Sequence, residues 1–494
     1  MNRRGFLQAT SGALAGSLIS PLSAASNADS VEQSHWSLGW QSALPQPLEP
    51  LRLDVSGKLP AEVTGSLYRN GPALTERAGI RYRHWFDGDG MIQRFRIEDQ
   101  TIVHDAQYVQ TEKFTREQRT RRFLLPGAGT DIESDVPSGN NDSGNVANIA
   151  LLPWNSELLA LWEGGSAYRV DPDTLETLGR KDWRDDLKHM PFSAHPMVEP
   201  DGTMWNFGSA PYAGRNGKLF VYRVSPESGM QAVQPVDLPM SGYIHSFTMS
   251  ERYLVFYFGP HLFTPGATTF VDSFEWSGGE SSKILLIDKN DLSAQQWFEA
   301  PPGFVFHCAN AYEQGDEVIA RLCLYDNADI MQRAMFELMR AEPSNTYPDY
   351  ARAAFAELRL NRTTGTATVD TSDVLMEFPS VDPRAAFEAG SVFGVGHSDT
   401  GSARYSDSVV RMDVRNEETT RYVFDAHHIV EEPLWVAKSA GQGGWLVGTF
   451  LDYRRAQTGV YVLDAENLTA GPIAMGRMSR HVPLGFHGCF VGVA

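Results

Sequence analysis

Cysteine is scarce in this sequence, and long apolar segments are missing from it. The chain of 494 residues contains three cysteines, Cys308, Cys323 and Cys489. An exported domain stabilised by disulfides would carry more cysteines, and an even number of them. No apolar stretch is long enough to cross a bilayer comfortably as a helix. These absences exclude a disulfide-rich scaffold and a protein with helical membrane spans.

Basic clusters and the common nucleotide and hydrolase motifs are missing too. The formal net charge is −19 without any basic run, which argues against nucleic acid as a partner. There is no P-loop, dinucleotide fingerprint, C-x-x-C or H-E-x-x-H motif. The segment "GHSDTG" lacks the G-x-S-x-G spacing, and its adjacent His397, Ser398 and Asp399 could not form a catalytic triad. Nothing specific therefore favours a hydrolase or a nucleotide enzyme.

The first residues resemble an export signal. In "NRRGFLQ", Arg3 and Arg4 precede a short apolar stretch and then Ala/Ser-rich sequence, which is typical of a twin-arginine signal peptide. An ordinary Sec signal is the alternative. We expect residues 1–28 to be a twin-arginine-type signal and residues 29–494 to form the mature, periplasmic protein. Fractionation of cells that express the protein tests this expectation.

Strand patterns dominate the chain from Leu51 onward. Short runs rich in β-branched and aromatic residues, such as "YLVFYFG" and "WLVGTFLDY", are bounded by Gly, Pro, Asp or Asn. Pieces such as "YRVDPDTLETLG" and "LLIDKNDLSAQQW" contain a strand ending in Asp, a turn and a second strand, which is typical of hairpins in a propeller blade. A helical pattern is confined mainly to Asn327–Glu342 and the signal region. We predict one all-β, propeller-like domain, with a double-sheet sandwich assembly as the alternative.

Four of the thirteen histidines lie in short apolar segments of β type: His195, His245, His307 and His487. A single histidine in such a setting is usually a hydrogen-bonded core residue. Local metal motifs keep their ligands close together in sequence, which these four are not. A radial β architecture could instead bring one histidine from each of several blades to the central axis. Imidazole nitrogen suits iron, zinc, copper and nickel, so the histidines alone do not choose the metal.

Three glutamates have flanks that indicate structured surroundings: Glu163 in "LLALWEGG", Glu377 in "LMEFPSVDP" and Glu432 in "EEPLWVAK". Because an unpaired buried carboxylate is costly, each of them is expected to have a partner. Histidines that bind metals normally donate their second N–H to a carboxylate or a carbonyl. Turn-capping or edge glutamates are the alternative interpretation.

Many segments in order, from about Leu51 to the C-terminus, resemble the carotenoid cleavage oxygenase family. They include "GSLYRNGPA", "HWFDGDGMIQRFRI", "SAHPMVEPDGTMWNFG", "IHSFTMSERYLVF", "FHCANAYE", "EEPLWVAK" and "VPLGFHGCFV". This resemblance implies a seven-bladed β-propeller with a helical and loop cap over an axial non-haem iron site. It implies that Fe(2+) is held by His195, His245, His307 and His487, with Glu163, Glu377 and Glu432 each orienting one ligand.

Two further expectations concern the segment "RHWFDGDGM". The resemblance implies that His84 is not a metal ligand. Asp87 and Asp89 are expected to form a tight hairpin turn.

The resemblance also implies a function. We expect a dioxygenase that uses O2 to cleave a carbon–carbon double bond of an apolar polyene, a carotenoid or an apocarotenoid, into two carbonyl products. Stilbene-type cleavage is one alternative; members of the lignostilbene group share a lysine that binds a phenolic hydroxyl, and a gapless alignment places Asp142 there. A non-catalytic exported propeller that binds apolar ligands is the other.

Two apolar loop segments admit two interpretations. Arg121–Gly129 and Pro260–Val271 could form a tunnel mouth in peripheral contact with membrane lipid, or they could be part of the cap core.

Overall fold

The propeller prediction is confirmed. A computed structural model describes residues 35–137, 139–340, 351–398, 405–439 and 443–493, so the expected signal at residues 1–28 lies outside the described residues. Within these ranges the strands form seven sheets of four or more strands and two small two-stranded sheets. Neighbouring strands in the seven large sheets are antiparallel. The sheets are the seven blades of a propeller, and the sandwich alternative is wrong.

Blades 1 to 4 follow one another along the chain, apart from the last strand of blade 1. Blade 1 contains Leu48–Arg52, Gly65–Leu74, Asp89–Glu98, Thr101–Tyr108 and Gly488–Gly492. Blade 2 contains Ala150–Trp154, Glu157–Leu161, Tyr168–Val170 and Thr177–Arg180. Blade 3 contains Met197–Val198, Met204–Ala210, Lys218–Ser225 and Gly229–Asp237. Blade 4 contains Thr248–Met249, Tyr253–Phe258, Ser282–Asp288 and Asp291–Ala300.

Blades 5 to 7 complete the ring. Two further sheets of two strands each are not part of the blades. Blade 5 contains Phe304–Gln314, Glu317–Tyr325, Ala354–Asn361 and Thr366–Leu375. Blade 6 contains Glu377–Ser380, Ser391–Gly396, Ser408–Asp413 and Glu418–Val423. Blade 7 contains Asp54–Gly57, His428–Val430, Leu434–Ala437, Gly444–Asp452, Gln457–Asp464 and Ala474–Arg477. The small sheets pair Glu76–Arg77 with Ile80–Arg81 and His261–Phe263 with Phe274–Trp276.

The two ends of the chain interlock and close the ring. Gly488–Gly492 pairs with Gly65–Leu74 in blade 1, with Gly488 opposite Arg69. Asp54–Gly57 in turn pairs with Ala474–Arg477 in blade 7. Each of these two blades therefore contains strands from both ends of the sequence, which protects the sheet edges where the ring closes.

Short helices and loops form a cap over one face of the propeller, which includes Trp36–Trp40, Trp85–Asp87, Val271–Ser273 and the helices from Ile330 to Arg340. The α-helices in the described residues are Glu112–Thr120 and Met335–Arg340, the latter continuing a π-helix at Ile330–Ala334. The 3-10 helices there are Trp36–Trp40, Ala61–Val63, Trp85–Asp87, Asn141–Gly144, Asp185–Leu187, Val271–Ser273, Pro383–Ala385 and Leu468–Ala470. No helix in these ranges has the length and hydropathy of a membrane-spanning segment.

One expected helix is present, and a second helix was not expected. The pattern at Asn327–Glu342 does form helix between Ile330 and Arg340, and its last two residues lie outside the described ranges. The helix Glu112–Thr120 was not expected. Its buried face includes Lys113 and Glu117, which form a buried ion pair of 2.9 Å, so a periodic apolar pattern is weak there.

The predicted hairpin turn at Asp87 and Asp89 is wrong. Asp87 ends a 3-10 helix, and its buried carboxylate accepts hydrogen bonds from the N–H groups of His84 (3.1 Å) and Gly129 (2.7 Å). Asp89 begins a strand and pairs with Arg77 and Lys113 at 3.2 and 3.3 Å. Both aspartates hold the cap to blade 1, because a buried carboxylate needs such partners.

Candidate metal centre

Four histidines reach the propeller axis from four different blades. His195, His245 and His487 each lie just before the first or last strand of blades 3, 4 and 1, and His307 lies within the first strand of blade 5. The innermost strands of neighbouring blades contact one another, so residues at these positions meet on the axis.

Their ring nitrogens converge on one point. Nε2 of His195 lies 2.9 Å from Nε2 of His245, and Nε2 of His487 lies 3.0 Å from Nε2 of His307. One nitrogen from each of the four rings falls within 4.8 Å of the others. Among the described residues, no other group of three or more His, Cys, Asp or Glu side chains has this arrangement.

These spacings fit a metal ion. With metal–nitrogen bonds of about 2.1 Å and ligands at right angles, adjacent imidazole nitrogens lie about 3.0 Å apart. Burial, reinforced by the neighbouring imidazoles, holds the pKa of His195 and of His487 well below the usual value. The rings are therefore neutral, which is the form that binds a metal. The donor set fits a divalent transition metal.

Each predicted glutamate contacts the other ring nitrogen of one of these histidines. The Nδ1 atom of His245 lies 2.8 Å from Oε2 of Glu163, and that of His487 lies 2.8 Å from Oε1 of Glu432. Glu377 makes the equivalent hydrogen bond to His307. No described carboxylate contacts His195. A carboxylate at Nδ1 fixes the ring orientation and leaves Nε2 to bind the metal.

Arg69 holds the Glu432–His487 pair in place, and the sequence did not indicate this role. Its side chain is 2% exposed and donates to Oε2 of Glu432 (2.8 Å) and to the carbonyl of Phe486 (3.0 Å). The same guanidinium lies 3.5 Å from Glu431. The Gly488 N–H also donates to Oε2 of Glu432, at 2.8 Å. Burial raises the pKa of Glu432, an effect that Arg69 opposes.

Two aromatic residues complete the surroundings of the histidines. The hydroxyl of Tyr243 lies 3.2 Å from Oε2 of Glu163 and 3.0 Å from Nδ1 of His245. The Phe378 ring lies 5.0 Å from the rings of both His307 and His487. Phe378 has a φ of 50°, a left-handed conformation that is costly for a bulky residue, and its N–H donates to Glu377. This conformation places its ring against two histidines while fixing the carboxylate of Glu377.

Two adjoining, largely apolar cavities lie near the histidine cluster. The inner cavity is bordered by His245, His307 and His487. The outer cavity is bordered by Glu163 and Tyr243. Phe86 and Ile149 line both cavities. A long apolar molecule could therefore lie across the two, with its middle beside the histidine cluster.

The outer cavity opens at the protein surface. Its lining includes Tyr212 and Phe270, which are 61% and 37% exposed. Pro126 and Ala128 line it as well, whereas Leu124 and Leu125 in the same loop are buried in the cap. The segment Arg121–Gly129 is thus partly cap core and partly cavity wall.

Two other sequence expectations can be located. Both ring nitrogens of His84 are engaged by backbone groups, Nε2 with the Met331 carbonyl at 2.9 Å and Nδ1 with the Phe86 N–H at 3.1 Å, so that His84 is not part of the cluster. Asp142 does not line either cavity. It is buried and hydrogen-bonded to Ser166 and His189, both at 2.7 Å.

The glutamate contacts predict a measurable effect. Glu163→Gln keeps the shape of the side chain but weakens the bond to His245, so metal affinity or activity should fall about 10–100-fold. Glu377→Gln and Glu432→Gln should behave similarly. Metal titration of the metal-depleted variants measures this, with Glu299→Gln on the surface as the matched control. Parental metal affinity and activity in all three variants would contradict the orienting role.

Comparisons with known proteins agree with this architecture. A family model described as retinal pigment epithelial membrane protein (RPE65) matches residues 41–492. The chain is 26% identical to apocarotenoid-15,15'-oxygenase from Synechocystis, over 95% of this chain and 99% of that protein. It is 28% identical to carotenoid 9,10(9',10')-cleavage dioxygenase 1 from Pisum sativum, over 94% and 91% of the two chains. It is 26% identical to resveratrol cleavage oxygenase 1 from Aspergillus fumigatus, over 89% and 92%.

A solved structure shows the same fold. The crystal structure of cobalt-substituted apocarotenoid oxygenase from Synechocystis matches with a TM-score of 0.82 at 24% identity, covering 93% of this chain and 98% of that one. Since the family model spans almost all of the described propeller, the chain belongs to the RPE65 family of carotenoid cleavage oxygenases.

Proposed function

We propose that the protein is a non-haem Fe(II) dioxygenase that cleaves a carbon–carbon double bond of a carotenoid or apocarotenoid with O2. The observation that carries this proposal is the position of the four-histidine cluster at the wall of an apolar cavity that adjoins a second one. The names of the relatives from Synechocystis and Pisum sativum support the same substrate class.

Iron is the metal that this chemistry requires. A ferrous ion supplies electrons to O2, which zinc cannot do because it has no redox chemistry. Four neutral imidazoles would hold the ion, and the nearby carboxylates would offset its charge. Glu431 and Glu432 share one guanidinium, that of Arg69, so the centre carries an excess of negative charge that favours a cation.

The side chains around the cluster would bind the substrate and exclude water. The inner and outer cavities would each hold one half of the polyene, which places one double bond beside the histidines. Affinity would come from burying chain methyl and methine groups, at about 25 cal/mol per Å² of apolar surface. Phe86 and Phe306 would shield the reacting bond from water, since both are buried against the inner cavity.

Stilbene cleavage is the second candidate, because one relative is named for resveratrol. Neither cavity is lined by a described lysine that could bind a phenolic hydroxyl. The carboxylate of Asp142 is already occupied by Ser166 and His189. A polyene therefore suits the two cavities better than a diphenol does.

Single turnover under labelled O2 tests the proposal. The iron-loaded protein should first be screened against carotenoids, apocarotenals and stilbenes. Both carbonyl products of the preferred substrate should carry the label when they are analysed before aldehydes exchange with water. Label in one product only would point to a monooxygenase. An iron-loaded protein that consumes no O2 with any polyene or stilbene would favour the non-catalytic alternative.

Two further proposals are independent of the cleavage reaction. One concerns contact with membranes, and the other concerns export. We propose that the exposed rim formed by Tyr212 and Phe270 touches lipid while an apolar substrate enters. Sedimentation with lipid vesicles tests this contact. Periplasmic delivery rests on Arg3 and Arg4 in the sequence.

A further inference from the structure

A third cavity borders the histidine cluster on the side away from the cap. In blade 5, Phe306 precedes His307 and lines the inner cavity, whereas Cys308 follows His307 and lines the third cavity. Blade 4 shows the same order, with Ile244 before its histidine in the outer cavity and Ser246 after it in the third. Phe306 packs in the core cluster that includes the cap helices. The third cavity therefore lies on the opposite side of the histidines from the two apolar cavities.

The wall of this third cavity is mainly polar, so we call it the polar cavity. It is lined by Ser246 and Glu432 together with three of the four histidines. Pro196 and Met197, which line it too, are half-buried, and the next residue, Val198, is exposed. Space for solvent therefore continues from the cluster towards the face of the propeller opposite the cap.

His195 is the histidine that belongs to this side. It lines the polar cavity and neither of the apolar ones, whereas His307 and His487 line both the polar and the inner cavity. It is half-buried, while the other three histidines are buried. No described carboxylate contacts its ring, so its orientation is fixed less tightly than theirs. An ion that arrives through the polar cavity would meet His195 first.

Hydration decides which cavity an ion can use. A divalent cation keeps its water molecules until protein ligands replace them, because an unsolvated charge in an apolar environment is very unfavourable. The polar cavity can hold those water molecules, whereas the walls of the inner and outer cavities offer few groups to replace them. Net charge is a weaker guide, because Glu432 of the polar wall is already paired with Arg69.

We propose that the metal ion reaches and leaves the four histidines through the polar cavity, from the face opposite the cap. Metal and apolar substrate then approach the centre from opposite sides. This inference rests on the metal centre of the proposed function, but on neither the cleavage reaction nor the identity of the polyene. It implies that the protein can be loaded with metal while an apolar molecule occupies the other two cavities.

Rates of metal exchange test the route independently of cleavage. Cobalt(II) is the probe, because imidazole ligands bind it. Its uptake by the metal-depleted protein and its loss to excess EDTA are followed by metal analysis after rapid desalting. Met197→Trp, which narrows the polar cavity, should slow both rates about tenfold, equivalent to about 1.4 kcal/mol of added barrier. The equilibrium affinity should stay that of the parent, because an obstructed route slows both directions equally. Met197→Ala should speed both rates.

Two further variants serve as controls. Met240 is half-buried against the same core cluster as Met197 but lines none of the three cavities, so Met240→Trp should exchange metal as the parent does. Ile149→Phe narrows both apolar cavities and should also leave the two rates unchanged. The same is expected of the parent with a bound polyene hydrocarbon, whose binding is detected by quenching of protein fluorescence.

The outcomes separate the route from the proposed function. Parental rates in both Met197 variants overturn the route, and so does slowing by Ile149→Phe or by the bound polyene as large as that by Met197→Trp. If Met197→Trp alters the affinity or does not fold, Met197→Ala decides. Faster uptake and loss at parental affinity then support the route, and parental rates overturn it. An iron-loaded parent that cleaves nothing leaves these rates measurable, so the two proposals can fail separately.

Discussion

Changing His487 to alanine should leave the protein with little or no bound iron. The parent, purified without oxygen, should hold about one iron per chain, since the four converging Nε2 atoms form one site. The variant would keep three imidazoles, and Oε1 of Glu432, 2.8 Å from the lost ring, would lose its contact with residue 487. Metal analysis of the two proteins measures the difference. The same loss of metal or of activity is expected for alanine at His195, His245 or His307.

Two histidines serve as controls for this experiment. His427→Ala should keep its iron, because that ring packs against Tyr453 and is not part of the four-histidine cluster. His84→Ala should also keep its iron, although it loses two backbone hydrogen bonds and some stability. Full iron occupancy in His487→Ala would show that this residue is not a ligand.

Arg69→Met should cost about 3–5 kcal/mol of stability and weaken metal binding. The substitution removes the cation that faces Glu431 and Glu432, and a buried charge that has lost its partner is strongly destabilising. It also frees the carboxylate that orients His487, so metal affinity should fall along with stability. Denaturant unfolding and metal titration measure the two effects.

A second substitution separates charge from packing. In the double variant Arg69→Met with Glu432→Gln, one uncompensated carboxylate is gone, so part of the lost stability should return. Metal affinity should stay low, because glutamine orients His487 less well. Arg184→Met removes an exposed arginine that pairs with Asp186 and should change stability by less than about 1 kcal/mol. A similarly small effect for Arg69→Met would mean that the buried ion pairs of Arg69 with Glu431 and Glu432 do not stabilise the fold.

The repeating parts of the fold were predictable because local sequence determines them. The strand before Asp288 and the strand after it were visible as an apolar run, a turn and a second run. The hairpin after Tyr168 was visible for the same reason. Blade hairpins involve contacts between close neighbours in sequence, so composition and turn residues are enough to indicate them.

The features that could not be predicted from the sequence depend on contacts between distant segments. Arg69 resembles an ordinary strand residue in the sequence, and its side-chain partners Glu432 and Phe486 lie more than 360 residues further along the chain. Phe378 adopts a positive φ that no local pattern indicates for an aromatic residue. The helix Glu112–Thr120 has a buried ion pair on the face where an apolar stripe would be expected. Thr111 at its start is a typical N-cap and could have indicated the helix.

The strand that closes the ring also sets the earliest time at which all four histidines can come together. At synthesis rates of about 5–20 residues per second, His487 leaves the ribosome roughly 15–60 s after His195. During that interval the growing chain can present at most three of the four imidazoles, and blade 1 lacks its last strand, Gly488–Gly492. The complete four-histidine site can therefore form only late, when residues 488–492 are available to pair with blade 1. An ion that joins blades 1, 3, 4 and 5 would then hold the ring shut, since a ligand of the folded state alone stabilises that state.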